Sequence, residues 1–271
     1  MAEQFGLFDA RSLQPTTARD GESAGRGRSG ARADAAVPPL RVRESRRARR
    51  LTLRVLPPYT LELVVPRGTR AADVAAFVHR HSRWIERARR EIASHYPVAQ
   101  ERFPTRIALR AIDQSWLVRY QPEPQAVSRV RMLGDVIEVR TRDTSNHGAD
   151  AALRSWLCDQ ASYHLTPWVL REAELVGRRP NRVQVRLQRT RWGSCSNSGT
   201  LSLNAALMFL APAVVRYLLI HELCHLISLN HSQRFWAAVE RYEPDYEALD
   251  RQLTQAWTDI PLWVHSDARR R

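Results

Sequence analysis

No lysine occurs in the 271 residues, so all 42 basic side chains are arginine. Against 28 acidic residues they leave a formal charge of +14. An arginine-only balance reflects a GC-rich genome more readily than selection for a partner, so it does not by itself indicate nucleic-acid binding. It does draw anions toward the surface, an attraction that weakens with salt. Cysteine is scarce. Cys158, Cys195 and Cys224 are too few and too irregularly spaced for a disulfide framework, and no C-x-x-C pair is present. Long apolar runs are missing as well. The longest, Ala205 to Ile220, is interrupted by Pro212 and Arg216, which argues against a membrane span. The opening MAEQFGLFDARS has no basic leader followed by an apolar stretch, so no signal peptide is expected and a reducing, cytoplasmic location follows.

A hydrophobic content of 44% is ordinary for a globular protein, and the length suffices for one large domain or two small ones. Residues 1–36, including GESAGRGRSGARADAA, read as a disordered tail, because they bury too little apolar surface to offset chain entropy. LRVRES, LTLRVL and TLELVVP then read as strands, the last two separated by Pro57-Pro58. One helix is predicted from Ala71 to Ala93, with Val74, Phe77, Val78, Trp84 and Ile85 as its apolar stripe. SWLVRY and DVIEVR are further strands. A long helix runs from Gly148 to Gly177, bent at Pro167, with Leu153, Trp156, Leu157, Ala161 and Trp168 on its stripe. Strands RVQVRL and TLSLNAAL flank the turn-rich RWGSCSNSG. Pro212 opens an apolar helix, PAVVRYLLIHELCHLISL, and two shorter helices follow, one at Ser232 to Glu243 and one after Pro244.

His221-Glu222-Leu223-Cys224-His225 is H-E-x-x-H within that apolar helix. Residues four apart share a helical face, so both imidazoles can reach one ion, while Glu222 can contact a water on the metal without ligating it. Neutral imidazole suits zinc, which lowers the pKa of bound water to about 7, and a nearby carboxylate can take the proton. A solvated polar stripe that happens to hold these residues is the competing account. Val214, Val215, Leu218, Leu219, Ile220, Leu223, Leu226 and Ile227 leave little room for such a stripe, so the helix is expected to be buried. Burying two histidines and a glutamate without partners costs several kcal/mol, a cost that a metal and its water remove.

A catalytic zinc takes three protein ligands and keeps an open position. His231, six residues beyond His225 where the helix is expected to end, is the favoured third ligand; Glu240 or Glu243 on the next helix is the alternative, and Cys224 reads as core. The spacing H-E-x-x-H-x5-H also matches metzincins. Ser228 stands at the position of their glycine, however, and the methionines Met1, Met132 and Met208 all precede the motif, so no Met-turn is available.

The block RTRWGSCSNSGTLSLNAALMFLAPAVVRYLLIHELCHLISLNHSQRFWAAVERYEPDY resembles the YgjP-like zinc metallohydrolases, relatives of the SprT and WLM groups, and the similarity spans roughly residues 45 to 250. RWGSCS, Leu203-Asn204, HELCH, NHS and FW carry it; RRARRLTLRVLPP and VPRGTRAADVAAFVHRHSRWI add a weaker amino-terminal match. The resemblance implies an α+β fold with a zincin-like metallopeptidase half. It also implies one zinc ion per chain, with His221, His225 and His231 as ligands and Glu222 as base and acid. The expected organisation is a tail at 1–36, a β-rich amino-terminal region at 37–146 and a zincin-like catalytic region at 147–265. In such folds the strand before the metal helix pairs with an extended substrate; here it lies near Thr200 to Ala205.

The leading expectation is a metallopeptidase. The first alternative, also implied by the resemblance, is a pyrophosphatase acting on nucleoside triphosphates such as UTP, with Arg186, Arg189 and Arg191 neutralising phosphate, although no Gly-rich phosphate loop is present. Arg189, Arg191, Trp192 and Asn204 are the candidate substrate contacts; a solvated strand edge is the competing account for the arginines. Trp192 and Trp236 otherwise read as core or pocket wall. Asp245 reads as a helix cap or, less readily, a partner of a zinc-bound histidine. RRARR at 46–50 reads as a solvated strand edge, with nucleic acid as the alternative. Gln4, Leu7 and Phe8 resemble the Q-x-x-L-F peptide that docks on bacterial sliding clamps. That pattern supplies a second alternative: a DNA-associated zinc protein recruited through its tail.

Overall fold

In a computed structural model of the chain, residues 40–56, 60–95, 103–123, 128–142 and 147–265 are described, and they form a mixed α+β fold. The expected tail, with Gln4, Leu7 and Phe8, lies outside these residues, as does Pro57-Pro58. Contacts divide the chain into two units between Ala99 and Gln100.

In the amino-terminal unit β1 (Leu40–Ser45), β2 (Thr52–Leu56) and β3 (Thr60–Pro66) form a sheet in the order β1-β3-β2, with β3 parallel to β1 and antiparallel to β2. Glu62 on the central strand is 3% exposed. Burial works to raise its pKa, but Arg54 and Arg43 on the flanking strands donate to its Oε2 at 2.9 and 3.2 Å and bring the net shift down. The RRARR arginines are exposed in the link between β1 and β2 rather than on a strand edge.

The helix predicted over Ala71–Ala93 is two, α1 (Ala71–Arg80) and α2 (Ser82–His95). His81 breaks it. Its backbone leaves the helical well at φ −102° and ψ 11°, and its ring Nδ1–H donates to the Phe77 carbonyl at 2.8 Å. The apolar stripe survives the break: Val78, Trp84, Ile85 and Ala88 pack with Leu40, Leu53 and Leu61.

In the second unit β4 (Arg106–Leu109), β5 (Gln114–Pro122), β6 (Arg129–Leu133) and β7 (Val136–Thr141) form a sheet in the order β4-β5-β7-β6, with β5 and β7 parallel. The 30-residue helix α3 (His147–Val176) packs against β6 and β7 and also against β8 and α4, so this sheet shares a core with the metal-site elements. Leu153, Leu157, Ala161, Leu165 and Val169, each four residues from the last, are on its fully buried face. Pro167 lies inside α3 without ending it. Gly177 ends it, at φ +68°: its N–H bonds the Glu174 carbonyl and that of Arg178 bonds Ala173, the Schellman pair that satisfies the last carbonyls.

β8 (Arg182–Arg186), β9 (Gly193–Cys195) and β10 (Thr200–Asn204) make the sheet that faces the metal helix, ordered β8-β10-β9. α4 (Pro212–Cys224) packs on α3, on β9, and on α5 (Gln233–Tyr242) and α6 (Tyr246–Gln255). From Val214 to Cys224 every α4 residue but Arg216 is buried, as an all-round apolar helix requires. Each fully buried leucine there contributes about 1.5–3 kcal/mol. No helix among the described residues is long and apolar enough to cross a membrane.

Candidate metal centre

The predicted helix continues to Leu229, but α4 stops at Cys224, and His225 is its C-cap. The chain tightens there. Leu226 N–H bonds the Leu223 carbonyl and Ile227 N–H bonds the Cys224 carbonyl, both three residues back. This turn swings the segment ahead of α5 so that His231 comes back over the end of α4. His221, His225 and His231 then offer ligand nitrogens all within 4.8 Å of one another. The Nε2 atoms of His221 and His231 are 3.1 Å apart. Two nitrogens held tetrahedrally at about 2.0–2.1 Å from zinc lie roughly 3.3 Å apart, so the spacing fits the ion.

The hydrogen bonds on the other ring nitrogens are consistent with this orientation. The Ser228 carbonyl only accepts, so His225 Nδ1, 3.2 Å away, is the donor and Nε2 keeps its lone pair. Phe235 of α5 packs on all three rings, with centroids 4.5–4.9 Å away, and Trp236 stacks on His231 at 5.5 Å. Burial, and then the neighbouring His225 and His231, push His221 well below its ordinary pKa. Burial first, and His231 after it, take His225 down to about 4, against the pull of its bond to Ser228. Both rings are therefore neutral at pH 7, the form that binds a metal.

Glu222 is 2% exposed, and its Oε2 has no hydrogen-bond partner. Burial raises its pKa to about 8, with Arg191 opposing. An unpaired buried carboxyl next to three convergent imidazoles costs stability in the metal-free protein, and a cation with its water offsets that cost. Gly193 on β9 makes room for it: a Cβ there would stand 2.5 Å from Glu222 Oε1 and 2.9 Å from Cγ and Cδ. The requirement explains the glycine of RWGSCS, which sequence reasoning matched without a reason.

Of the alternative third ligands, Glu240 is exposed and Glu243 pairs with Arg216; neither joins the cluster. Burial lifts the Cys224 thiol to about 12, in keeping with a core residue. Among the described residues the cluster is therefore three histidines, the ligand number of a catalytic rather than a structural zinc.

Two of the candidate substrate contacts are buried. Trp192 is fully buried and stacks on Trp257 at 4.1 Å. Asn204, also fully buried, spends its side chain on the chain before β9: Nδ2 donates to the Gln188 and Arg191 carbonyls at 2.9 and 3.0 Å, and Oδ1 accepts from Gln188 and Ala206 N–H. Both shape the segment that carries the arginines. Arg189 is exposed, while half-buried Arg191 acts on the charge of Glu222.

The expected substrate strand is corrected. β10 is paired on both sides, by β8 and β9, and has no free edge. β8 and β9 are the edge strands, and β9 is the one that packs on α4. The bonds from Asn204 N–H to the Trp192 carbonyl and from Ser196 N–H to the Thr200 carbonyl fix the alternation, so Gly193 and Cys195 turn their N–H and C=O away from β10.

Sequence reasoning missed two residues. Tyr217, fully buried on α4, donates its hydroxyl to Asp250 Oδ1 of α6 at 2.7 Å and lies 3.4 Å from His221 Nδ1. Asp245 was the expected carboxylate in this region, but it is exposed and makes no side-chain cap bond. The i, i+4 spacing of Tyr217 and His221 was a readable signal; Asp250, 33 residues from Tyr217, was not.

The profile of the family described as YgjP-like, metallopeptidase domain, matches residues 49–256. Among solved structures, the crystal structure of the metallopeptidase zymogen of Pyrococcus abyssi abylysin is similar at 29% identity and a TM-score of 0.30, over 32% of this chain and 90% of that one. Comparison with curated proteins finds no match.

Proposed function

The chain belongs to the YgjP-like family and is a metallohydrolase, and from that premise we propose that it is a zinc-dependent peptidase with one ion per chain and Glu222 as its general base. The observation that carries this reading is the meeting of His221, His225 and His231 beside a buried carboxyl oxygen without a partner. These three imidazoles would hold the zinc. When bound, zinc supplies a Lewis acid that polarises the scissile carbonyl and acidifies water. Glu222 takes the proton from the attacking water and returns it to the leaving amine. Without a metal its burial raises its pKa to about 8; the charge of a bound zinc would favour the carboxylate that accepts the proton.

Peptide is favoured as substrate by β9. Its outward N–H and C=O groups at Gly193 and Cys195 can pair with an extended chain next to Glu222, a recognition that reads backbone rather than side chains. The pyrophosphatase alternative draws on Arg191, whose charge reaches Glu222, together with exposed Arg186 and Arg189. The experiment offers purified protein an unfolded polypeptide and a panel of nucleoside triphosphates in parallel. Peptide cleavage that a chelator stops and zinc restores is the expected result. Phosphate release without peptide cleavage would replace this reading with the phosphohydrolase.

A further inference from the structure

Tyr217 stands one helical turn before His221, on the same face of α4, and it is fully buried. A phenol has a single proton. Here it is committed to Asp250 Oδ1 at 2.7 Å, so the oxygen can only accept from a second neighbour. That neighbour is His221 Nδ1, at 3.4 Å. For this contact to be favourable His221 must carry its proton on Nδ1, which leaves a lone pair on Nε2, the atom turned toward His231 Nε2. We propose that Asp250 and Tyr217 form a positioning relay that fixes the tautomer and ring orientation of His221 and so presents its Nε2 to the metal.

His225 gets the same service from the Ser228 carbonyl in its own turn. His221 sits inside α4, where the backbone carbonyls are already bonded, so its partner has to come from a side chain. Tyr217 supplies the oxygen, and Asp250 from α6 settles which way the phenol proton points. Without Asp250 the hydroxyl is free to rotate and donate to Nδ1, which would favour the wrong tautomer. Partners of this kind typically change metal affinity 10–100-fold.

The relay rests on the zinc reading, and the test separates the two. Zinc affinity is measured by competition with a chromophoric chelator for wild type, Tyr217→Phe, Asp250→Ala and the double variant, and the histidine tautomers of each metal-free protein are read by nitrogen-15 NMR. Expected are an Nδ1–H tautomer of His221 in wild type and its loss in both single variants. Zinc should bind about tenfold or more weakly in each, with the double variant no worse than the weaker single, because the two residues act in series. A bond that merely ties α4 to α6 would lower the metal-free melting temperature while leaving tautomer and affinity as in wild type, and that result overturns the relay. Asp250→Ala, at a half-buried site, keeps the test open should Tyr217→Phe not fold. Wild type that binds no zinc overturns the metal reading, and the tautomer in the metal-free protein still decides the relay.

Discussion

Glu222→Gln is expected to keep its zinc and lose about 10²–10⁴-fold in turnover. Glutamine is nearly isosteric and Glu222 is outside the histidine cluster, so the ligand geometry has no reason to change. What disappears is the group that accepts and returns a proton. The same variant changes metal-free stability with a definite sign. Burial raises the folded-state pKa of Glu222 from 4.5 to about 8, so the native state holds a proton that the unfolded chain releases. Stability from this group is present below about pH 4.5 and is lost as pH rises through about 8. His225 acts the other way: depressed from 6.5 to about 4, it costs stability as pH falls through that interval. Thermal melts of metal-free protein should therefore show Glu222→Gln more stable than wild type at pH 9 and nearly level with it at pH 5. Full turnover in this variant would remove Glu222 from the chemistry.

Gly193→Ala comes next in size. The new Cβ meets not only Glu222 Oε1 but also Cγ and Cδ, so rotating the carboxylate alone does not relieve the overlap. α4 is buried on its other sides and has little room to retreat. Overpacking of this kind costs about 1–3 kcal/mol, and misplacing a catalytic group by about 1 Å can cost 10²-fold in rate. The expected outcome is a kcat reduced about 10²-fold with zinc content unchanged, read alongside denaturant unfolding to follow the stability loss. A variant with wild-type kcat would mean that the close approach of β9 to Glu222 is irrelevant to catalysis.

The convergence of the histidines was legible because helical spacing does the geometric work: a separation of four from His221 to His225 places both rings on one side, and an apolar helix makes buried polar groups demand a partner. Where α4 ends was not legible. Leu226 and Ile227 continue the apolar pattern, and only the capture of the Ser228 carbonyl by His225, with two tightened turns, shows the break. His81 hid the split between α1 and α2 in the same way, by a side-chain bond to the backbone that periodicity does not register. The burial of Trp192 and Asn204 was hidden for another reason. Polar and aromatic residues near a motif look like ligand contacts until burial shows them holding the chain instead. The pairing of β10 on both sides, the sharing of a core between α3 and the β4–β7 sheet, and the reach of Asp250 across from α6 are all long-range facts with no local signature.

The claim beneath all of this is that three imidazoles converge on one zinc ion. Elemental analysis of protein purified without added metal or chelator tests it most directly. One equivalent of zinc per chain, lost when His231 is replaced by alanine, is the predicted result; protein that emerges folded and metal-free, and takes up no zinc when the ion is offered, would contradict it.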